Sequence, residues 1–199
     1  MSGIKTIGIT GGIGSGKTYI CNLLQKEFGI PVYDCDKEAK RLTASNEEIR
    51  RKLIALIGPD VFVGENLDKQ RLADYLFADV ENASQVNAII HPVVSEDFKR
   101  WRNEQQESPT VALESAILFE SGFNTMADKV LFVDAPEDVR LHRAMLRDTA
   151  SEAQIRARMK MQQPKLHRHQ ADFIINNHMP DDTRLLEQLT TVLRHIAND

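Results

Sequence analysis

The chain has 199 residues, of which 27% are charged and 6% aromatic, and its formal net charge is −4. That length can bury one substantial core with small insertions, and the net acidity argues against general nucleic-acid binding. Only Cys21 and Cys35 are present, without C-x-x-C spacing, so a disulfide framework or zinc site is not expected; no apolar run nears the ~18 residues of a membrane span, no signal-peptide pattern opens the chain, and a cytoplasmic protein is expected.

Residues Ile4 to Thr18 carry the strongest signal. The β-branched run Ile4, Thr6, Ile7, Ile9 and Thr10 predicts a buried strand. It leads into Gly11-Gly12-Ile13-Gly14-Ser15-Gly16-Lys17-Thr18, which matches G-x-x-x-x-G-K-[ST], the phosphate-cradling loop, at every fixed position. Ile20, Leu23, Leu24 and Phe28 then form the apolar stripe of a helix beginning near Gly16. Glycines let backbone N–H groups converge on phosphate oxygens, and the helix N-terminus adds positive potential. Lys17 is expected to reach the β- and γ-phosphates, and the Thr18 hydroxyl to ligate Mg²⁺. Cys21 reads as a core thiol in this helix.

The chain continues as alternating strands and helices. Pro31 to Asp34 reads as a second strand, with Cys35 as a small strand residue beyond it. Helices are predicted over Lys37–Leu42 and Glu47–Ile57, the latter ended by Gly58-Pro59. Gly64 to Asn66 marks a turn. Leu67–Phe77 and Ala83–Trp101 read as helices, with Pro92 breaking or kinking the second. Strands follow at Thr110–Leu113 and Lys129–Val133. A basic helix spans Glu137–Arg147, and Ser151 with Gln154 forms a capping box for a helix reaching Met161. Pro164 punctuates, Phe173–Ile175 is a fifth strand, and a last helix from about Asp181 shows a core stripe from Leu185 to Ile196. The segment from Glu137 to Gln170 carries eight Lys or Arg against four Asp or Glu. Local positive charge on an acidic chain suits a polyanion such as a nucleoside triphosphate; for any single arginine a solvated helix face is the plainer reading.

Such alternation implies a parallel sheet, with ligands gathered beyond the carboxyl ends of its strands. Asp34 and Asp36, at i and i+2, stand at such an end. One reading makes them the carboxylates that orient an acceptor hydroxyl and take its proton. The other has Asp36 capping the helix that starts at Lys37, worth about 1 kcal/mol.

Taken in order, TGGIGSGKT, VYDCD, IIHPVV, ILFESG and ADFIINN resemble the dephospho-coenzyme A kinase family over nearly the whole chain. The resemblance implies phosphorylation by ATP of the ribose 3′-hydroxyl of dephospho-coenzyme A, giving coenzyme A and ADP, the last step of coenzyme A synthesis. It implies an α/β P-loop kinase fold of the nucleoside-monophosphate-kinase type. That fold has a five-stranded parallel sheet flanked by helices, a helical acceptor-binding region over 37–102 and a mobile lid over 141–170. The core is then 1–36, 103–140 and 171–199. By position, Asp36 matches the general base and Asp34 its partner, which could hold Mg²⁺ through water. Lys17 and Arg143 join Asp36 as catalytic candidates. ATP is expected against Gly12, Ile13, Gly14, Ser15, Gly16, Lys17, Thr18, Arg143 and Arg147, with Asn176 and Asn177 bordering the adenine and Arg158 and Gln162 as further contacts. Asp34, Asp36, His91 and Glu120 fall on the acceptor side; the plainer reading of His91 is a buried, hydrogen-bonded histidine at a helix kink.

Two positions depart from the family's usual pattern. Ala116 stands where a proline is frequent, and Lys69 stands where arginine is common in Leu67-Asp68-Lys69, so any phosphate contact there lacks arginine's bidentate fork and is weaker in geometry. Other readings are a kinase of another small acceptor or a non-catalytic nucleotide switch; acidity and few aromatics weaken nucleic-acid modification. Expected partners are ATP and dephospho-coenzyme A, with Mg²⁺, no nucleic acid, no membrane, and a monomer or small homo-oligomer.

Overall fold

A computed structural model describes residues 3–147, 150–162, 167–178 and 182–198. The chain divides into two compact units, Met1–Tyr33 with Gln105–Asp199, and Asp34–Glu104.

The first unit is built on a five-stranded parallel sheet, ordered β2-β5-β1-β6-β7. Its strands are β1 (Lys5–Thr10), β2 (Val32–Asp34), β5 (Thr110–Glu114), β6 (Lys129–Asp134) and β7 (Phe173–Asn176). Strand β1 is central, pairing Ile7 with Ala112 on one side and Lys129 on the other. A strand covered on both faces is buried along its length, and every β1 residue after Lys5, the two threonines included, is buried. Helices α1 (Lys17–Phe28) and α8 (Asp182–Asn198) bring Ile20, Leu24, Leu185, Leu189, Val192 and Ile196 onto Ile7, Ile9, Leu131, Val133 and Ile175. That stripe is the one predicted at the C-terminal end of the chain. The helix start expected at Asp181 lies outside the described residues, as does Pro164.

Helices α6 (Glu137–Arg147) and α7 (Glu152–Met161) form a hairpin with its own small core of Leu141, Ala144, Ile155 and Met159. Its second helix opens on the predicted capping box: Ser151 accepts from the Gln154 N–H, and Gln154 returns a bond to the Ser151 N–H.

The second unit holds α2 (Cys35–Ser45), α3 (Glu47–Ile57), α4 (Lys69–Ala78) and α5 (Val80–Glu104), with a hairpin of two-residue strands, β3 (Phe62–Val63) and β4 (Asn66–Leu67). Gly64 makes the turn at φ 62°. Of the break or kink expected at Pro92, a break does not occur: α5 runs through it for 25 residues. Proline removes one helical donor there and crowds the carbonyl four residues earlier, and buried Val86, Val94 and Phe98 anchor the helix on both sides. Arg41 joins the unit's helices, pairing with Glu38 of its own helix and with Asp97 of α5 at 2.9 Å.

Candidate active site

The loop after β1 is shaped by close approach. Gly14 has φ 76°, and a Cβ there would fall 2.1 Å from the Arg140 carbonyl oxygen. Gly16 has φ 92°, and its Cβ would fall 2.1 Å from Asn177 Nδ2. Both positions need glycine twice over, for the left-handed backbone and for the missing carbon. The Ser15 N–H closes on the Gly12 carbonyl at 3.1 Å, and Lys17 Nζ folds back to the Gly11 carbonyl at 3.0 Å.

Gly16 is the N-cap of α1 and offers no side-chain acceptor, and the first turn holds no acidic residue. The first N–H groups of a helix lack intrahelical partners, so this uncapped end presents donors and the positive end of the helix dipole to an anion. Thr18 is exposed on that first turn.

Asn177 braces the loop from behind. It is buried at 4% exposure. Its Nδ2 donates to the Ser15 carbonyl at 2.8 Å, its N–H to the Asp134 carbonyl at 2.7 Å, and its own carbonyl accepts from Arg143 Nη1 at 2.8 Å. Arg143 Nη1 would lie 3.9 Å from a Gly16 Cβ, so its guanidinium flanks the start of α1. Lys17, Arg143, Asn177 and the glycines are therefore brought together. Asn176 ends β7 rather than following it; it is exposed, and Gln188 bonds its main chain.

Gln162, just past α7, accepts from the Ile13 N–H through Oε1 at 2.8 Å. Arg147 and Arg158 are exposed on α6 and α7. Glu120 is held by His167 Nε2 at 2.9 Å, and the His167 ring stacks on Phe119 with centroids 5.1 Å apart.

In the second unit, Asp34 rather than Asp36 is the cap. Asp34 accepts from the Lys37 N–H at 2.9 Å, so α2 begins at Cys35, two residues before the predicted start. Cys35 is thus a buried helical residue and not a strand residue. Asp36 does not cap α2 and stands exposed in its first turn. His91 lies half-buried within α5, and burial lowers its pKa from the ordinary value.

A family profile described as "Dephospho-CoA kinase" matches residues 5–181. The chain belongs to the dephospho-CoA kinase family. A relative of that name from Porphyromonas gingivalis is 45% identical over 193 residues, covering 94% of this chain and 95% of its own. One from Bacteroides fragilis is 45% identical over 172 residues, with coverages of 86% and 83%. Among solved structures, a Thermus thermophilus protein superposes with a TM-score of 0.83 at 34% identity, each chain covered to 98%. A dephospho-CoA kinase from Campylobacter jejuni (TM-score 0.67, 21% identity, coverages 94% and 95%) and a shikimate kinase from Bacteroides thetaiotaomicron (0.54, 14%, 97% and 98%) share the fold. As a dephospho-CoA kinase family member the chain is an ATP-using kinase of the last step of coenzyme A synthesis. No helix among the described residues is long and apolar enough to cross a membrane.

For this dephospho-CoA kinase family member, three polar side chains around the site were missed from sequence. Arg140 is buried beside the loop; desolvation pushes its guanidinium pKa down, while Glu137 and Asp134 oppose that shift. Asp134 ends β6 and accepts from Arg168 Nε at 2.8 Å. Glu114, buried at 7% exposure, extends β5 one residue beyond the predicted end, opposite Ile9. A single charged residue at a strand end or helix start leaves no periodic mark.

Proposed function

We propose that this kinase transfers the γ-phosphoryl group of ATP to the ribose 3′-hydroxyl of dephospho-coenzyme A, yielding coenzyme A and ADP. The observation that carries this reading is the phosphate loop itself. It is held by Asn177, flanked by Arg143, and continuous with a helix start that has neither a side-chain cap nor an acid.

Lys17 and Arg143 stabilise the charge on the transferring group, and the N–H groups of Gly14, Gly16, Lys17 and Thr18 position the phosphates, with Gly12, Ile13 and Ser15 lining the loop. Arg147, with Arg158, supplies further positive charge from α6 and α7, the helices of the lid over 141–170. Asn176 borders the adenine, while Asn177 shapes the loop. Asp36 orients the acceptor hydroxyl and takes its proton; its exposure in the first turn of α2, with the capping role left to Asp34, supports this. Asp34, His91 and Glu120 serve the acceptor side, and residues 37–102 supply the helical acceptor-binding region. Among the described residues no group of three or more His, Cys, Asp or Glu could hold a metal ion. The donor set, one exposed Thr18 hydroxyl, therefore fits Mg²⁺ arriving with the nucleotide. When bound beside Thr18, Mg²⁺ would offset the negative charge of the phosphates. The enzyme works in the cytoplasm as a monomer or small homo-oligomer, away from membranes and nucleic acid.

The test is incubation with ATP, Mg²⁺ and dephospho-coenzyme A, with the acceptor followed by mass spectrometry. An acceptor-dependent gain of one phosphoryl group on the ribose 3′-oxygen is expected. ATP binding without that product would overturn the reading.

A further inference from the structure

The phosphate loop is joined to the α6–α7 hairpin at several points. The Arg140 carbonyl sits where a Gly14 side chain would be. The Ile13 side chain packs on the hairpin's core of Leu141, Ala144, Ile155 and Met159. Arg143 reaches Asn177 behind the loop. Within this seam, one loop amide is committed to a side chain of the hairpin: the Ile13 N–H donates to Gln162 Oε1 at 2.8 Å. Gln162 is fixed in turn, since its own N–H closes α7 on the Arg158 carbonyl at 3.4 Å.

Two consequences follow from the chemistry of the pair. Ile13 precedes the left-handed Gly14 and Gly16 and the uncapped start of α1, so an acceptor on its amide holds the loop without consuming the helix donors. The acceptor is also a carboxamide. A carboxylate would make a stronger bond to an N–H, but it would set a negative charge beside a loop suited to polyphosphate. Glutamine meets both demands: it accepts, and it stays neutral.

We propose that Gln162 is a positioning residue, a neutral latch that couples the α6–α7 hairpin to the phosphate loop through Ile13. This rests on the kinase reading above, because the choice of a neutral acceptor has meaning only beside a bound polyphosphate. Breaking the latch frees the hairpin that carries Arg143 and Arg147. Charging the latch preserves the hairpin but repels the nucleotide.

The experiment compares the full-length wild type with Gln162→Met, which keeps length but cannot accept, and Gln162→Glu, which keeps the acceptor and adds charge. Hydrogen exchange of the ligand-free protein reads the latch, and calorimetric ATP titration at low and high salt reads the charge. In Gln162→Met, exchange across Ile13 and the α6–α7 peptides should speed up by roughly tenfold, the scale of one neutral hydrogen bond. In Gln162→Glu, that protection should persist while ATP binding weakens by about tenfold, with the loss shrinking as salt rises. Wild-type exchange in Gln162→Met, or wild-type ATP affinity in Gln162→Glu, would overturn the proposal. Failure of the kinase reading looks different: wild-type enzyme that binds ATP but makes no coenzyme A rejects that reading, whatever the exchange of the variants.

Discussion

Replacing Gly16 by alanine should be costly for a reason that a second substitution can isolate. Gly16 sits at φ 92°, and an added Cβ would lie 2.1 Å from Asn177 Nδ2. The left-handed backbone alone costs roughly 1–2 kcal/mol for a residue with a side chain. The clash adds more. Asn177 is buried, so it must give up its bond to the Ser15 carbonyl, leaving a buried acceptor unpaired at about 1–3 kcal/mol. Gly16→Ala should therefore cost roughly 2–5 kcal/mol, a large part of a typical domain's ~5–15 kcal/mol. Asn177→Ala alone should cost about 1–3 kcal/mol through the same lost bond. In the double variant the clash is gone and the bond is lost only once, so its cost should be close to that of Gly16→Ala. Urea unfolding of all four proteins gives the coupling, which should be about 1–3 kcal/mol below additivity. A double variant as destabilised as the sum of the singles would refute the argument that Asn177 is what Gly16 makes room for.

Asp34→Ala should cost about 1 kcal/mol through loss of the α2 cap, whereas Asp34→Asn should nearly restore stability; equal unfolding midpoints for the two variants would show that Asp34 does not cap. His91 has its folded-state pKa held below the ordinary 6.5 by burial. The unfolded chain thus binds the extra proton more readily, and stability should fall as pH drops below 6.5. His91→Gln should flatten that slope in unfolding experiments between pH 7 and about 5, and an unchanged slope would remove His91 as its source.

The parts of the fold legible in the sequence are those where one short-range rule decides the outcome. The stretch from Ile4 to Thr18 reads as strand, loop and helix because its glycines and apolar spacing have few other uses, and Ser151 with Gln154 announces α7. The start of α2 differs from the expectation because Asp34 and Asp36 are equally good caps by residue type, and only the fold shows that Asp34 accepts from the Lys37 N–H and starts the helix at Cys35. Strands β3 and β4, of two residues each, are too short to show alternation. A break at Pro92 is one of the two outcomes propensity offers, because propensity ignores the packing of Val94 and Phe98 that carries α5 past it. Asp134, Arg140 and Glu114 stayed hidden because their importance comes from neighbours distant in sequence, such as Arg168 against Asp134 and Ile9 beside Glu114. The roles of Asn177 and Gln162 as struts of the loop were unreadable for the same reason. Sequence marked them as residues near a nucleotide, but their partners Ser15 and Ile13 lie 162 and 149 positions away.

The most direct test of the central claim compares coenzyme A formation by wild-type enzyme and Asp36→Asn, with ATP affinity measured on the same preparations. The account predicts unchanged ATP binding and turnover lowered by about 10²-fold or more, the loss expected when a general base is removed. Near-normal turnover of Asp36→Asn would contradict it.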